Sequence, residues 1–333
     1  MPNIWTHFLF GQKCLQEIGE TSLISAPHLE RMFNMGCQGP DFLFYHNFLP
    51  WKKDPRMNLL GSEMHQHHCG EVIMDMLDTL EGQAAPQSKQ EPALVYALGF
   101  LLHHLLDRVM HPYVFSRSGS RKWDHQRFEI MMDTLIARKL HGVETWKTEV
   151  WKEIDIRGEL PTLIVNAFEQ IAAVHYPALA ARISREDWRD AMRDMVAAQK
   201  LFYDPTGMKR LFTFGQIDPF VFKRELPPLD ILNDSNRPWL DPTDGKTLHT
   251  ESVWDLWNLA MEEALPVVRA VLHWLRTDDS SQPELTREAP SRYQLREEAA
   301  QLIGNRSYET GLPCESMAAI RYEDPIWPSS ISL

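Results

Sequence analysis

Several familiar signatures are missing from this 333-residue chain. Cysteine is scarce: Cys14, Cys37, Cys69 and Cys314 form no CxxC pair, so neither a structural zinc ribbon nor a disulfide framework is expected. Basic charge is in deficit, with 34 Lys and Arg against 46 Asp and Glu, a formal net charge of −12. That argues against long nucleic acids and anionic membrane surfaces as partners, since nothing offsets phosphate repulsion. The N-terminus has no basic start followed by an apolar run, so no secretory signal is read and a cytoplasmic location is expected. The most apolar stretch, Ala93 to Leu106, is short and holds two histidines, which excludes it as a membrane span. No internal repeat and no sustained period-two alternation is visible, so a sheet protein is not expected.

What the chain does have is an apolar fraction of 44% and 11 Trp, enough for a real core. The pattern is helical throughout, and the expected fold class is all-α. Helices are predicted near 11–19, 26–36, 61–80, 92–110, 121–141, 160–174, 186–202 and 251–276, with one more near 292–303. Gln83–Pro92 reads as a polar linker, 222–249 as a long Pro- and Asp-rich loop, and Thr277–Glu284 as a second break. The expected division is a helical domain over 1–221 and, over 222–333, a loop, a long helix and an extended tail packing on it.

Histidine is unevenly spread. Ten of the 14 fall in residues 1–133: His7, His28, His46, His65, His67, His68, His103, His104, His111 and His125. Two series place histidine and carboxylate one turn apart on a helix: His103, Asp107, His111, and His125, Glu129, Asp133. Clusters of divalent metal ions need such donors at such spacing. In 92–110 the only strongly polar residues are His103, His104, Asp107 and Arg108, so the helix reads as buried. A buried Asp beside buried His is costly unless it is compensated, and metal compensates it. The ordinary alternative is a buried His–Asp hydrogen bond. Steps of three and of four both reach the face of Asp107, so spacing alone does not choose between His104 and His103. Pro112 predicts that the helix ends at His111. For the second series the ordinary alternative is a solvated helix face, and Met131 and Met132 read as core. Asp41 follows a Gly-Pro break, where it could instead cap a turn. His65, His67 and His68 could be solvated in a first helical turn.

In order, these segments form a set: His7, Pro40-Asp41, His65, HxxxD at His103 and Asp107, His111, then HxxxE at His125 and Glu129. The set resembles the zinc-dependent phospholipase C family, which includes secreted bacterial phospholipases C and the catalytic domain of glycosylphosphatidylinositol-specific phospholipase D. The motifs cover about residues 1–135 and the helical pattern reaches about 200. The resemblance selects His103 over His104. It implies an all-helical fold with two or three Zn2+ between helices. Asp41, His65, His103 and Asp107 would surround one ion. Asp107 would bridge to a second ion, which His7 helps bind. His111, His125 and Glu129 would hold the third. Two or three ions would bring the net charge to roughly −8 or −6. The implied activity is hydrolysis of a phosphodiester, with zinc lowering the pKa of bound water and Asp41 as general base or water-orienting group. The implied substrate is a small phosphodiester or a phospholipid.

Two departures stand out. In the secreted enzymes the mature N-terminal residue binds zinc, whereas His7 is preceded by six residues here. Those enzymes place a choline-binding Tyr after the Asp, and here it is Phe42, so choline specificity does not carry over. Phe42, Phe44, Tyr45, Trp51 and Tyr113 could line an apolar cleft or simply be core. Two other readings stand beside the first. One is a nucleotide phosphodiesterase or nuclease of related fold. The other is a non-catalytic helical protein that metal stabilises.

Overall fold

The computed structural model describes residues 3–52, 54–80, 87–277 and 290–327. The fold is all-α. Its axis is α5 (Gln87–Ser118), apolar almost all round and enclosed by other helices. Glu91–Ser118 is long and apolar enough to cross a membrane, yet 94% of its most apolar window is buried inside the protein, so it is a core helix. Against it pack α2 (Pro27–Gly36), α1 (Ile4–Glu17), α6 (Asp124–His141) and α12 (Val253–Arg276). The shorter α3 (Arg56–Gln66) and α4 (Cys69–Asp78) flank one end. Next come α7 (Trp151–Ile154), α8 (Thr162–His175), α9 (Pro177–Ala180), α10 (Arg185–Phe202) and α11 (Met208–Phe212). The last helix, α13 (Arg292–Ile303), packs on α12 and α4.

Local chemistry sets several of these boundaries. Ser184 with Asp187, Ser252 with Asp255 and Ser291 with Gln294 form capping boxes that start α10, α12 and α13. Gly142, at φ 64°, ends α6.

The structure corrects four expectations. First, α1 starts at Ile4 rather than near 11. Asn3 accepts from the Ile4 N–H, and the buried carboxylate of Asp133 accepts from Trp5 N and Thr6 N at 3.1 and 2.6 Å. Asp133 therefore caps α1 from α6 rather than extending the His125–Glu129 series. Second, the single helix expected over 61–80 is two, broken at His67 and His68, and His68 adopts a left-handed φ of 58°. Third, α5 does not end at His111 but runs through Pro112 to Ser118. Pro112 lacks the N–H that would bond to the Arg108 carbonyl one turn back. Gly311, from the end of the chain, packs on that carbonyl so closely that a β-carbon there would lie 2.2 Å from it. Tertiary packing thus accommodates a proline that local rules place outside a helix. Fourth, 222–249 carries a small antiparallel hairpin, β1 (Trp239–Leu240) with β2 (Leu248–His249). Trp239 is buried there against Tyr113 of α5, with ring centroids 5.4 Å apart. Residues 87–92 of the expected 83–92 linker belong to α5, while 83–86 and most of the 277–284 break lie outside the described residues.

Candidate metal centre

Five elements bring the sequence-selected donors together. Asp41 sits in a 3-10 helix, Gly39–Tyr45, and His65 is in the last turn of α3. His103, Asp107 and His111 project from α5, His7 from α1, and His125 and Glu129 from α6. Gly39, at φ 50°, lets the 3-10 helix lie directly on the His103 ring, since a β-carbon there would fall 2.1 Å from the imidazole.

The donors form three linked groups: Asp41, His65, His103; His7, His103, Asp107; and His111, His125, Glu129. Within each group the donor atoms lie within 4.8 Å of one another. His65 Nε2 is 3.1 Å from Asp41 Oδ1, and His103 Nε2 is 3.9 Å from the same oxygen. Asp107 occupies the middle. Its Oδ2 is 3.0 Å from His103 Nε2, and its Oδ1 is 3.4 Å from His7 Nε2 and 3.8 Å from His111 Nε2. His125 Nε2 and Glu129 Oε1 are 2.6 Å apart. His103 thus belongs to two groups, while the two oxygens of Asp107 meet different imidazoles.

The imidazoles are oriented from behind. His65 Nδ1 donates to the Gly61 carbonyl at 2.6 Å, His103 Nδ1 to that of Cys37 at 3.0 Å, and His111 Nδ1 to that of Tyr308 at 2.8 Å. A carbonyl only accepts, so each Nδ1 carries the proton and each Nε2 turns toward the cluster, as metal-ligating histidines are held. His7 Nε2, His103 Nε2, His111 Nε2 and both oxygens of Asp107 are buried yet make no hydrogen bond. Orphaned buried acceptors are costly. A proton on His103 relieves one approach to Asp107, whereas three imidazoles approach it. A divalent cation relieves them together, so the donor set fits zinc.

The electrostatics agree. Burial holds His7 and His125 well below their usual range and His111 down to about 3, so these rings are neutral donors. Burial also lowers His103, but the Asp107 and Asp41 carboxylates outweigh it and the net shift is upward. Burial alone would raise Asp107; the surrounding His103, His111 and His7 instead keep it well below the ordinary carboxylate range.

The site opens on a cleft of about 840 Å³ lined by Asp41 and Glu129 at its inner end. Phe44, Tyr45, Phe202 and Phe220 give it apolar walls, and Lys52, Lys122 and Arg127 bring positive charge to it. Of the aromatics proposed from sequence, Phe44 and Tyr45 line this cleft. Phe42 is buried against Phe168, Tyr113 is core, and Trp51 is 74% exposed beside the lining residues Pro50 and Lys52. His46, which is not part of the ordered donor set, also lines the cleft and pairs with Asp187 at 3.4 Å. His104 turns away, its Nε2 meeting the Arg306 carbonyl at 2.7 Å.

One contributor has no sequence signal. Residues 304–316 run across the back of the site as a strap. Tyr308 N and Ser307 Oγ both donate to the His65 carbonyl, at 2.9 and 3.2 Å. The Tyr308 ring, buried, packs on His65, His103 and His104. Arg108 anchors the strap's start through the Ile303 carbonyl at 2.6 Å and binds Glu263 of α12 at 2.7 Å.

An all-helical fold with a preoriented set of imidazoles and carboxylates has the donors that a helical metal-binding protein requires. A profile of the zinc dependent phospholipase C family matches residues 6–182, more than half of the chain, and the chain belongs to that family. That stretch contains all eight donors. Comparison with curated proteins and with solved structures found no match.

Proposed function

We propose that this protein is a zinc-dependent hydrolase of a phosphodiester, phospholipase C-like in chemistry. The observation that carries the reading is the orphaned set around Asp107, buried, preoriented and continuous with a cleft. His7, His103 and Asp107, Asp41 with His65 and His103, and His111 with His125 and Glu129 would hold the ions. Bound zinc supplies Lewis acidity, which activates water near neutral pH and offsets charge on phosphate. The remaining work falls to the chain itself. Asp41 lies at the boundary between cluster and cleft, where its carboxylate can orient a water and accept its proton. Lys52, Lys122 and Arg127 attract and orient the anionic phosphate. Phe44, Phe202 and Phe220 cover the apolar part of a substrate and limit bulk water. Such a cleft suits a phospholipid or another phosphodiester with an apolar arm.

Asp41→Asn tests this reading directly. Hydrolysis of bis(p-nitrophenyl) phosphate should fall to background while most of the zinc stays bound. Undiminished turnover would remove Asp41 from the reaction. A panel of phospholipids, cyclic dinucleotides and simple phosphodiesters then identifies the substrate class.

A further inference from the structure

Besides the three groups already described, one more trio brings donor atoms within 4.8 Å of one another among the described residues: His68, Glu71 and His175. It shares no residue with the centre around Asp107. We propose that it is a second, peripheral site for one first-row divalent cation, with His68, Glu71 and His175 as ligands and Asp75 hydrogen-bonded to His175.

The placement follows from two helices. His68 precedes α4, Glu71 lies in its first turn and Asp75 one turn further. Steps of three and four put these on one face. His175 ends α8, which packs against α4, and so reaches the same face from the other side. His68 Nδ1 contacts the Glu71 carboxylate, and His175 Nε2 lies 2.7 Å from Asp75 Oδ2. The two imidazole rings lean on each other, with centroids 4.8 Å apart and planes 35° apart. Two imidazoles and a carboxylate form a donor set that zinc, nickel and copper accept. With neutral imidazoles Glu71 and Asp75 carry two negative charges, which one divalent ion balances. Glu315 of the strap interacts electrostatically with His68 and adds to this negative field.

Two features separate the arrangement from two ordinary histidine–carboxylate hydrogen bonds. The two imidazoles come from different helices yet converge ring to ring. His68 also holds a left-handed backbone, at φ 58°, which residues with a β-carbon adopt rarely and which tends to persist where a function requires it. The side chains of His68 and Glu71 are about half exposed, at 45% and 50%, so the ion would keep contact with water and exchange freely. It would bind more weakly than an ion beside buried Asp107. Its mechanical effect would be to tie the α3–α4 turn, three residues from His65, to the end of α8.

Metal counting tests the site without reference to catalysis. The protein is dialysed to equilibrium against a fixed free zinc concentration and its bound zinc is measured by elemental analysis across the membrane, alongside His175→Ala, His68→Ala and Glu71→Gln. Wild type should hold one ion more than each variant, while turnover of bis(p-nitrophenyl) phosphate stays the same. Copper(II) added to the zinc-loaded protein should give an electron paramagnetic resonance signal with splitting from two imidazole nitrogens, and His175→Ala should lose it. Equal metal content in wild type and all three variants, with no copper signal that the substitutions change, overturns the proposal. Loss of the whole metal complement in the variants overturns it as well, because these residues would then support the central cluster. If no phosphodiester is turned over, the count and the copper spectrum still decide.

Discussion

The part of the chain that matches the family and the part that follows it contribute to the centre in different ways. Among the described residues, 6–182 supply every donor side chain of the cluster. The strap at 304–316 supplies none, yet its Tyr308 carbonyl fixes the His111 tautomer and its Ser307 and Tyr308 hold the His65 backbone. Ligands are a matter of side-chain identity, whereas their orientation is a matter of backbone groups that any residue carries. Outer-shell partners of this kind tune metal sites nearly as strongly as the ligands do.

The comparison can be broken or sharpened experimentally. The largest effect is expected for Asp107→Ala, which removes the central carboxylate from three buried imidazoles. It should cost on the order of 5 kcal/mol and most of the bound metal, read by elemental analysis and denaturant unfolding. Unchanged metal content would show that the cluster does not depend on this residue. Acid gives the next effect. In the zinc-free protein His111 sits at about 3, below its unfolded value. Below pH 6.5 the unfolded chain therefore binds the extra proton, and stability falls as pH drops from 6.5 toward 3. The loss should approach about 4 kcal/mol and be smaller in His111→Gln, measured by unfolding across that range.

Gly311→Ala turns to the strap. A β-carbon there clashes with the Arg108 carbonyl and strains a φ of 67°, so a loss of about 3 kcal/mol is expected. If the strap orients ligands, zinc release to a chelator should also accelerate. Loss of stability with an unaltered release rate would reduce the strap to packing. Ser307→Ala removes one of two hydrogen bonds to the His65 carbonyl and should cost about 1 kcal/mol with a proportionally small change in zinc release.

How much was legible beforehand follows the same division. The donors could be read because helical periodicity converts sequence spacing into a shared face, as at His103, Asp107 and His111. The choice of His103 over His104 needed the ordered motif, and the structure gives its physical form: the Cys37 carbonyl holds one ring and the Arg306 carbonyl turns the other away. Pro112 misled because the rule against proline in a helix is local, while the freed Arg108 carbonyl is covered by Gly311, about 200 residues later in the chain. The cap on α1 was hidden for a related reason. Asp133 fits the spacing of a metal series, and only its proximity to Trp5 and Thr6 reveals that it binds backbone N–H groups. The strap left no pattern because it acts through backbone groups of Arg306 and Tyr308, the Ser307 hydroxyl and the packing of a single aromatic ring, none of which has a spacing to read.

The strap also sets a schedule for biosynthesis. Ser307 lies 242 residues after His65, and Tyr308 lies 197 after His111. At about 5–20 residues per second, roughly 10–40 s of translation separate His111 from the residue that orients it. Throughout that interval His111 lacks the carbonyl that orients its ring. The alignment of His111 is therefore completed only once the strap has been made, and premature termination before residue 304 would leave a chain with every donor but without the carbonyl that sets His111.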